Sequence, residues 1–172
     1  MTVCSASPEL FFERGDGVVC SKPMKGTVGR KPEALADEAN ADWLQTSAKN
    51  RAENVMITDM VRNDLARLSS TGKVSVDELF EVERYPSVWQ MTSSVKTEVS
   101  ASIADIFTAL FPAASITGAP KHAAVDVIDG LEDSPRELYT GALGIIQPSG
   151  FASFNVAIRT AWSDSRSGKS RF

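Results

Sequence analysis

Lys25 is the side chain in this sequence whose surroundings best fit a chemical role. It lies in the Pro-Met-Lys-Gly-Thr segment of residues 23–27, where a proline restricts the preceding backbone and a glycine frees the following one. A lysine on such a stiff turn can be directed at a bound molecule, and a desolvated lysine can lose its proton and act as a nucleophile. Most lysines beside glycine are solvated turn residues, so the chemical interpretation depends on the rest of the chain.

Other segments carry side chains of the types that acid–base, metal or carboxylate-binding chemistry uses. Glu9 places a carboxylate on the first apolar run, Glu53 lies on a long predicted helix, and Tyr139 and Arg159 lie in the last predicted hairpin. Each also has a structural alternative. The structural alternative for Glu9 is a carboxylate at a strand edge, and for Glu53 it is a solvated charge on the surface of a helix. Arg159 fits an outward strand residue, and Tyr139 a core residue with its hydroxyl at the surface.

The composition is that of an ordinary soluble globular protein. The 172 residues are 42% apolar and 23% charged, with a net charge of -4 that argues against a nucleic-acid binder. Cys4 and Cys20 form no Cys-x-x-Cys motif and no Cys/His cluster, so a disulfide framework or zinc site is not expected. No apolar run approaches a membrane span and the N-terminus lacks signal-peptide features, so we expect a cytoplasmic protein without membrane contact.

Hydrophobic patterning predicts hairpins near both ends of the chain, with helices between them. The predicted strands cover residues 9–14, 18–22, 74–76, 88–99, 139–148 and 151–162. The predicted helices cover residues 33–43, 47–68, 102–111 and 121–130, and residues 112–120 form a loop of small residues. The apolar stripe predicted for the long helix consists of Ala52, Val55, Met56, Met60, Val61 and Leu65. Residues 163–172 are polar and without pattern, which predicts a disordered or aberrant C-terminal tail.

Seven segments in a fixed order carry a resemblance to a known family. In chain order they are Ser-Pro-Glu-Leu-Phe (7–11), Pro-Met-Lys-Gly-Thr (23–27), Lys-Asn-Arg-Ala-Glu-Asn (49–54), Asp-Met-Val-Arg-Asn-Asp-Leu (59–65), Phe-Pro-Ala-Ala-Ser-Ile-Thr-Gly-Ala-Pro-Lys (111–121), Arg-Glu-Leu-Tyr-Thr-Gly (136–141) and Asn-Val-Ala-Ile-Arg-Thr (155–160). Together they resemble the chorismate-utilising enzymes, which include anthranilate, aminodeoxychorismate, isochorismate and salicylate synthases.

Two positions favour one branch of this family. The resemblance places lysine at position 25 in aminodeoxychorismate synthases and alanine in anthranilate synthases, and Gln90 stands where anthranilate synthases have a histidine tied to pyruvate elimination. Isochorismate and salicylate synthases also carry a lysine near this position, used as a base toward water. The resemblance therefore favours chorismate amination for folate biosynthesis, with the other branches or an inactive fragment as alternatives.

The resemblance also implies a mechanism. Lys25 would add at C2 of chorismate and displace the C4 hydroxyl, which leaves with acid assistance from Glu9. Ammonia from a glutamine amidotransferase subunit would then enter at C4 and expel the lysine. The product would keep its enolpyruvyl group.

The remaining site residues are implied to bind substrate and metal. Glu53 matches a Mg²⁺ ligand, and Mg²⁺ would anchor the ring carboxylate. Tyr139 and Arg159 match residues that hold the other carboxylate. Ser115 and the Gly118 backbone would form a wall of small residues against the substrate.

The expected fold is α+β, an antiparallel β-sandwich of the anthranilate/aminodeoxychorismate synthase type with helices outside. Residues 1–162 would form a partial chorismate-binding catalytic domain, since family members continue into a closing region with further metal ligands. We interpret the polar residues at the end of the long helix (Asp59, Arg62, Asn63 and Asp64) as a structural network, and His122 as a surface residue.

Overall fold

A computed structural model describes residues 1–166 and 168–171, and within them the chain forms ten strands and five helices. The strands are β1 (Thr2–Ser5), β2 (Leu10–Gly15), β3 (Val18–Lys22), β4 (Met24–Gly29), β5 (Ser75–Arg84), β6 (Val88–Glu98), β7 (Ala142–Ile146), β8 (Ala152–Val156), β9 (Thr160–Asp164) and β10 (Lys169–Arg171). The helices are α1 (Ala34–Thr46), α2 (Ala48–Ala66), α3 (Ile103–Leu110), α4 (Ala114–Thr117) and α5 (Lys121–Leu131).

The strands form two antiparallel sheets. The larger has seven strands in the order β4-β6-β3-β2-β8-β7, with β5 paired to the free side of β6, and the smaller has the order β1-β9-β10. Asp16 and Gly17 connect β2 to β3 with φ values of 50° and 76°, the left-handed backbone that a two-residue hairpin turn requires. The expected α+β class with antiparallel sheets is confirmed.

Helices α2 and α3 pack on one face of the large sheet and bury its aromatic side chains. Phe12 is fully buried, with its ring centroid 5.2 Å from those of both Phe107 on α3 and Phe154 on β8. Leu65 of α2 and Val95 of β6 are also fully buried in this core. Burial of several aromatic and aliphatic side chains between a sheet and its helices is the main favourable contribution to folding.

The helix α2 confirms the predicted long helix, but its buried face differs from the predicted stripe. Val55 and Met56 are 44% and 45% exposed. The buried residues of α2 are Asn54, Ile57, Thr58, Val61, Asp64 and Leu65. Partners on other elements bond some of the polar atoms on this buried face, as when Ser93 donates to Asn54 Oδ1 at 2.6 Å.

Several strand boundaries differ from the sequence prediction. The strand predicted at 74–76 continues as β5 to Arg84, through a bulge with positive φ at Glu78 and Phe80. The second hairpin is formed by the shorter strands β7 and β8, and Trp162 belongs to β9 in the other sheet.

The C-terminal segment contains secondary structure. The strand β9 runs to Asp164 and pairs with β10, so part of the segment predicted to be disordered lies in the three-stranded sheet. Ser167 and Phe172 lie outside the described residues, and the domain boundary at residue 162 stays a prediction.

Within the described residues, no single helix is both long enough and apolar enough to cross a membrane. The helical segments Ile103–Thr117 and Lys121–Leu131, which are bent by 65° relative to each other, are long and apolar enough only when taken together. Core helices of soluble proteins can be equally long and apolar.

Asp37 ties the start of α1 to the end of β4 and to β6. Its carboxylate accepts two hydrogen bonds from Arg30 Nε at 2.8 and 2.9 Å, one from Trp89 Nε1 at 3.0 Å and one from the Lys31 amide at 2.9 Å. The Arg30 guanidinium lies 4.7 Å from the Trp89 ring centroid. The bonds from Arg30 chiefly hold the pKa of Asp37 far below its ordinary value of 3.8.

We expect Asp37→Asn to lower the free energy of unfolding most at neutral pH. Because the folded-state pKa is depressed, the charged carboxylate stabilises the fold above pH 3.8 and loses this effect as pH falls toward its folded-state pKa. Urea unfolding at several pH values measures the difference, which should shrink below pH 3.8. Asp42→Asn, at an exposed position of the same helix, is the matched control; equal losses in both variants would contradict the role of Asp37.

We expect Phe12→Ala to destabilise the fold by about 3–5 kcal/mol, because it leaves a cavity between β2, β8 and α3. Leu35→Ala, at a position 83% exposed, should change stability by less than about 0.5 kcal/mol. Both values come from urea denaturation midpoints. If Phe12→Ala lowers the free energy of unfolding by less than about 1 kcal/mol, the aromatic cluster is not a packed core.

Candidate active site

A bulge in β4 directs the Lys25 side chain. The strand starts at Met24, directly after Pro23, and its pairing with β6 is irregular between Met24 and Thr27. An extra residue in a bulge re-aims the side chains beside it. The Lys25 ammonium donates to the main-chain carbonyl of Ser115 at 3.0 Å. Lys25 therefore lies within a strand, whereas the sequence analysis placed it just past the end of one.

Glycine is required directly after this lysine. Gly26 has φ of 95°, and a Cβ atom there would lie 3.0 Å from both Leu44 Cδ1 and Asn50 Cβ. Gln90 on β6 binds the same backbone, since its amide nitrogen donates to the Gly26 carbonyl at 2.8 Å and its oxygen accepts from the Thr27 hydroxyl at 2.7 Å. Close packing on one side and two hydrogen bonds on the other fix the backbone that carries Lys25.

Glu9 is a buried carboxyl beside Lys25. It directly precedes β2 and is 5% exposed. Burial raises the pKa of Glu9, and the nearby Ser115 hydroxyl and Lys25 ammonium only partly oppose this rise. Glu9 therefore holds its proton to higher pH than an exposed glutamate, as a general acid must.

The Ser115 hydroxyl is available to a ligand. Its Oγ is buried, and among the described residues it makes no hydrogen bond of standard geometry, although it is near enough to Glu9 to affect the pKa of that carboxyl. A buried polar atom without a partner costs free energy unless a ligand or water satisfies it. The cavity that Ser115 and Glu9 line also contains Phe11, Ile57, Val61 and Asp64.

Tyr139 and Arg159 line hollows other than the one with Glu9. Tyr139 is 58% exposed in the turn before β7, near Arg136, and lines a hollow with Trp162. Arg159 is exposed with φ of 48° and lines a hollow with Gln90. The carboxylate-binding role of these two residues stays a prediction.

Gly118 and Glu53 lie on two further elements. Gly118 ends α4 with φ of 118°, a backbone conformation that glycine adopts without strain. The Glu53 side chain is 44% exposed, and its Oε1 lies 3.9 Å from Nζ of Lys49, one helical turn earlier.

The donor set around Glu53 does not fit a complete Mg²⁺ site. In residues 1–166 and 168–171, no three His, Cys, Asp or Glu side chains are grouped to hold a metal ion. Asn50, one turn before Glu53, instead donates to the Ser47 hydroxyl that caps α2. One half-exposed carboxylate supplies too few ligands for a hard divalent cation, which takes about six oxygens.

Sequence reasoning named Ser115 for its side chain and missed its main-chain carbonyl. That carbonyl is the direct hydrogen-bond partner of Lys25. Every residue carries such a group, so no sequence pattern distinguishes it.

A family model described as chorismate binding enzyme matches residues 1–171. The chain belongs to this family. It is 44% identical to an aminodeoxychorismate synthase of Streptomyces pristinaespiralis over 92% of this chain and 22% of that protein. It is 39% identical to aminodeoxychorismate synthase component 1 of Escherichia coli K12, over 92% of this chain and 35% of that protein.

Solved structures show the fold shared by this chorismate-binding family. The anthranilate synthase component I of Streptococcus pneumoniae superposes with a TM-score of 0.81 at 34% identity, over 92% of this chain and 35% of that one. The menaquinone-specific isochorismate synthase of Escherichia coli superposes with a TM-score of 0.81 at 24% identity, over 92% of this chain and 36% of that one. This likeness concerns the fold alone. The chain spans about a fifth to a third of the length of the curated relatives it matches.

We expect Glu9→Gln to stabilise the protein relative to wild type increasingly as pH rises from 4 to 7. Because the pKa of Glu9 is raised in the folded state, its protonated form stabilises wild type fully below pH 4.5, the pKa in the unfolded state. This stabilisation is lost as pH rises through the folded-state pKa. Glutamine does not titrate, so the gap in unfolding free energy should widen.

Chemical denaturation at each pH gives these free energies, with Glu13→Gln on the exposed side of β2 as matched control. A gap for Glu9→Gln that stays constant with pH, or that the control reproduces, would contradict the buried, proton-retaining state of Glu9.

Proposed function

We propose that this chain carries chorismate-aminating chemistry of the aminodeoxychorismate synthase type. One observation carries the proposal, namely that an amine lies near a buried acid. The Lys25 ammonium donates to the Ser115 carbonyl, and its positive charge lowers the pKa of Glu9, opposing the effect of burial. Identities of 39–44% to aminodeoxychorismate synthases support this branch. Gln90 supports it as well, because a carboxamide cannot act as a base, and here it holds the backbone at Gly26 and the Thr27 hydroxyl.

In the proposed reaction, Glu9 donates its proton to the C4 hydroxyl of chorismate, which leaves as water. The Lys25 ammonium first loses a proton to solvent, and its amine then forms a bond to C2 as the two conjugated ring double bonds shift toward C4. Ammonia then forms a bond to C4 while the bond from C2 to Lys25 breaks. The proton that ammonia loses returns to the Glu9 carboxylate, so both side chains regain their starting states.

Two features of the surroundings of Glu9 and Lys25 favour these steps. Apolar side chains around Glu9 lower the local dielectric constant, which strengthens the interaction between Glu9 and developing charge on the substrate. The Ser115 carbonyl orients the amine of Lys25, and the Ser115 hydroxyl is free to donate to substrate.

The proposal assigns substrate carboxylates to Tyr139 and Arg159, with Ser115 and Gly118 as the wall beside the ring. Arginine's planar guanidinium suits a carboxylate because it can form two parallel hydrogen bonds. Mg²⁺ at Glu53 belongs to the proposal only with ligands beyond those described, because the present donor set is too small. We derive no step through the metal.

We also propose a glutamine amidotransferase subunit as the source of ammonia. Several relatives bear the name component 1, which implies a second component in those proteins. The proposal keeps the cytoplasmic location expected from the sequence, with Cys4 and Cys20 as free thiols.

We expect the purified chain, given chorismate, Mg²⁺ and ammonium, to form an amino product that retains its enolpyruvyl group. Lys25→Ala should lower this rate by at least about a hundredfold, because it removes the nucleophile. Lys73→Ala, at an exposed lysine, should leave the rate unchanged. Product analysis by mass spectrometry measures the outcome, and calorimetry with and without Mg²⁺ measures chorismate binding.

Each other outcome assigns a different function. Release of pyruvate would indicate the anthranilate branch, and a hydroxylated isomer of chorismate would indicate the isochorismate branch. Absence of any product above the Lys25→Ala background would identify the chain as an inactive fragment.

A further inference from the structure

One ammonium group joins the two ends of the loop that carries Ser115. Leu110 is the last residue of α3 and Lys121 is the first residue of α5, with the loop between them. Lys121 Nζ donates to the Leu110 carbonyl at 2.9 Å and to Asp64 Oδ2 on α2 at 2.6 Å. The loop is thus closed on itself and fixed to the long helix by a single side chain.

The ion pair that holds this ammonium is largely removed from solvent. The side chains of Lys121 and Asp64 are 12% and 9% exposed. The second oxygen of Asp64 pairs with Arg67 at 2.5 Å, and Arg67 also donates to the Ala109 carbonyl at 3.3 Å. Two cations therefore satisfy carbonyls at the C-terminal end of α3, where a helix leaves its last carbonyls without internal partners.

The same pair borders the candidate active site. Asp64 lines the cavity that Glu9 and Ser115 also line. The loop reaches the site through Ser115, whose carbonyl accepts from Lys25 and whose hydroxyl is near Glu9. Between its ends the loop contains the one-turn helix α4, which contacts α2 and α5, and Ala113 and Ala114 are buried in the core. The position of the loop therefore depends both on this packing and on how its ends are held.

We propose that Lys121 and Asp64 are positioning residues, which set Ser115 against Lys25 and Glu9 by closing this loop onto α2. This inference rests on the proposed function for its catalytic meaning. Neither residue touches the reacting groups in the proposed reaction. Their effect passes through the loop.

The test compares Lys121→Met with Lys121→Arg in the full chain. Methionine keeps most of the length of lysine but cannot donate, so hydrogen exchange of loop residues 112–120 and acetic anhydride labelling of Lys25 should each rise about tenfold. Labelling of the exposed Lys73 is the internal reference. Arginine can donate to both Asp64 and Leu110, so Lys121→Arg should restore both rates to within about twofold of wild type.

A matched control comes from another ion pair of α2. Arg62 and Asp59 pair at 2.6 Å at the surface, with side chains 48% and 64% exposed. Arg62→Gln should leave loop exchange and Lys25 labelling at wild-type rates. The proposal is overturned by wild-type rates in Lys121→Met, by no recovery in Lys121→Arg, or by an equal rise in Arg62→Gln.

A second variant decides the matter if Lys121→Met does not fold. Asp64→Asn keeps the shape and one acceptor, so it should fold and raise the two rates by about threefold or more; unchanged rates would overturn the proposal. Chorismate amination by wild type is assayed separately. Its absence would defeat the proposed function, whereas loop exchange and Lys25 labelling would still test the role of Lys121.

Discussion

Burial of the Glu9 carboxyl beside the Lys25 amine is the interaction on which the site depends. An acid and an amine exposed to water would exchange protons freely with solvent and interact weakly through a high dielectric constant. Here Glu9 is 5% exposed, and burial raises its pKa despite the nearby ammonium. The fold therefore favours the protonated form of this acid next to a potential nucleophile, as acid-assisted displacement of a hydroxyl requires.

The scaffold positions these two groups from separate parts of the chain. The large sheet brings the starts of β2 and β4 close together, because β3 and β4 follow one another along the same partner strand β6 and Lys22 at the end of β3 pairs with Leu10 of β2. The bulge in β4 and the hydrogen bonds from Gln90 fix the backbone beside Lys25. The loop before α5 supplies Ser115 from the other side, held by Lys121 and Asp64. Rigid strands and one anchored loop thus meet at the cavity.

The structure brings three of the predicted site residues together and leaves the others apart, and the roles of all of them stay predictions. The three residues at the centre, Glu9, Lys25 and Ser115, are in mutual contact or electrostatic range. Tyr139, Arg159 and Glu53 are exposed or half-exposed and do not line the cavity that contains Glu9. The chain spans 22% and 35% of the length of two of the curated relatives that it matches.

Local sequence determined the helices α1, α2, α3 and α5, the antiparallel hairpins and the family, but not β1, β4 or α4. Hydrophobic periodicity, turn residues and ordered motifs are properties of short segments. Tertiary structure decided which face of α2 is buried, since the side-chain oxygens of Asn54 and Asp64 accept hydrogen bonds from Ser93 and Lys121 on other elements. It also decided that a main-chain carbonyl of residue 115 holds Lys25. Contacts between residues distant in sequence, and above all those of the backbone, depend on packing geometry that no single segment encodes.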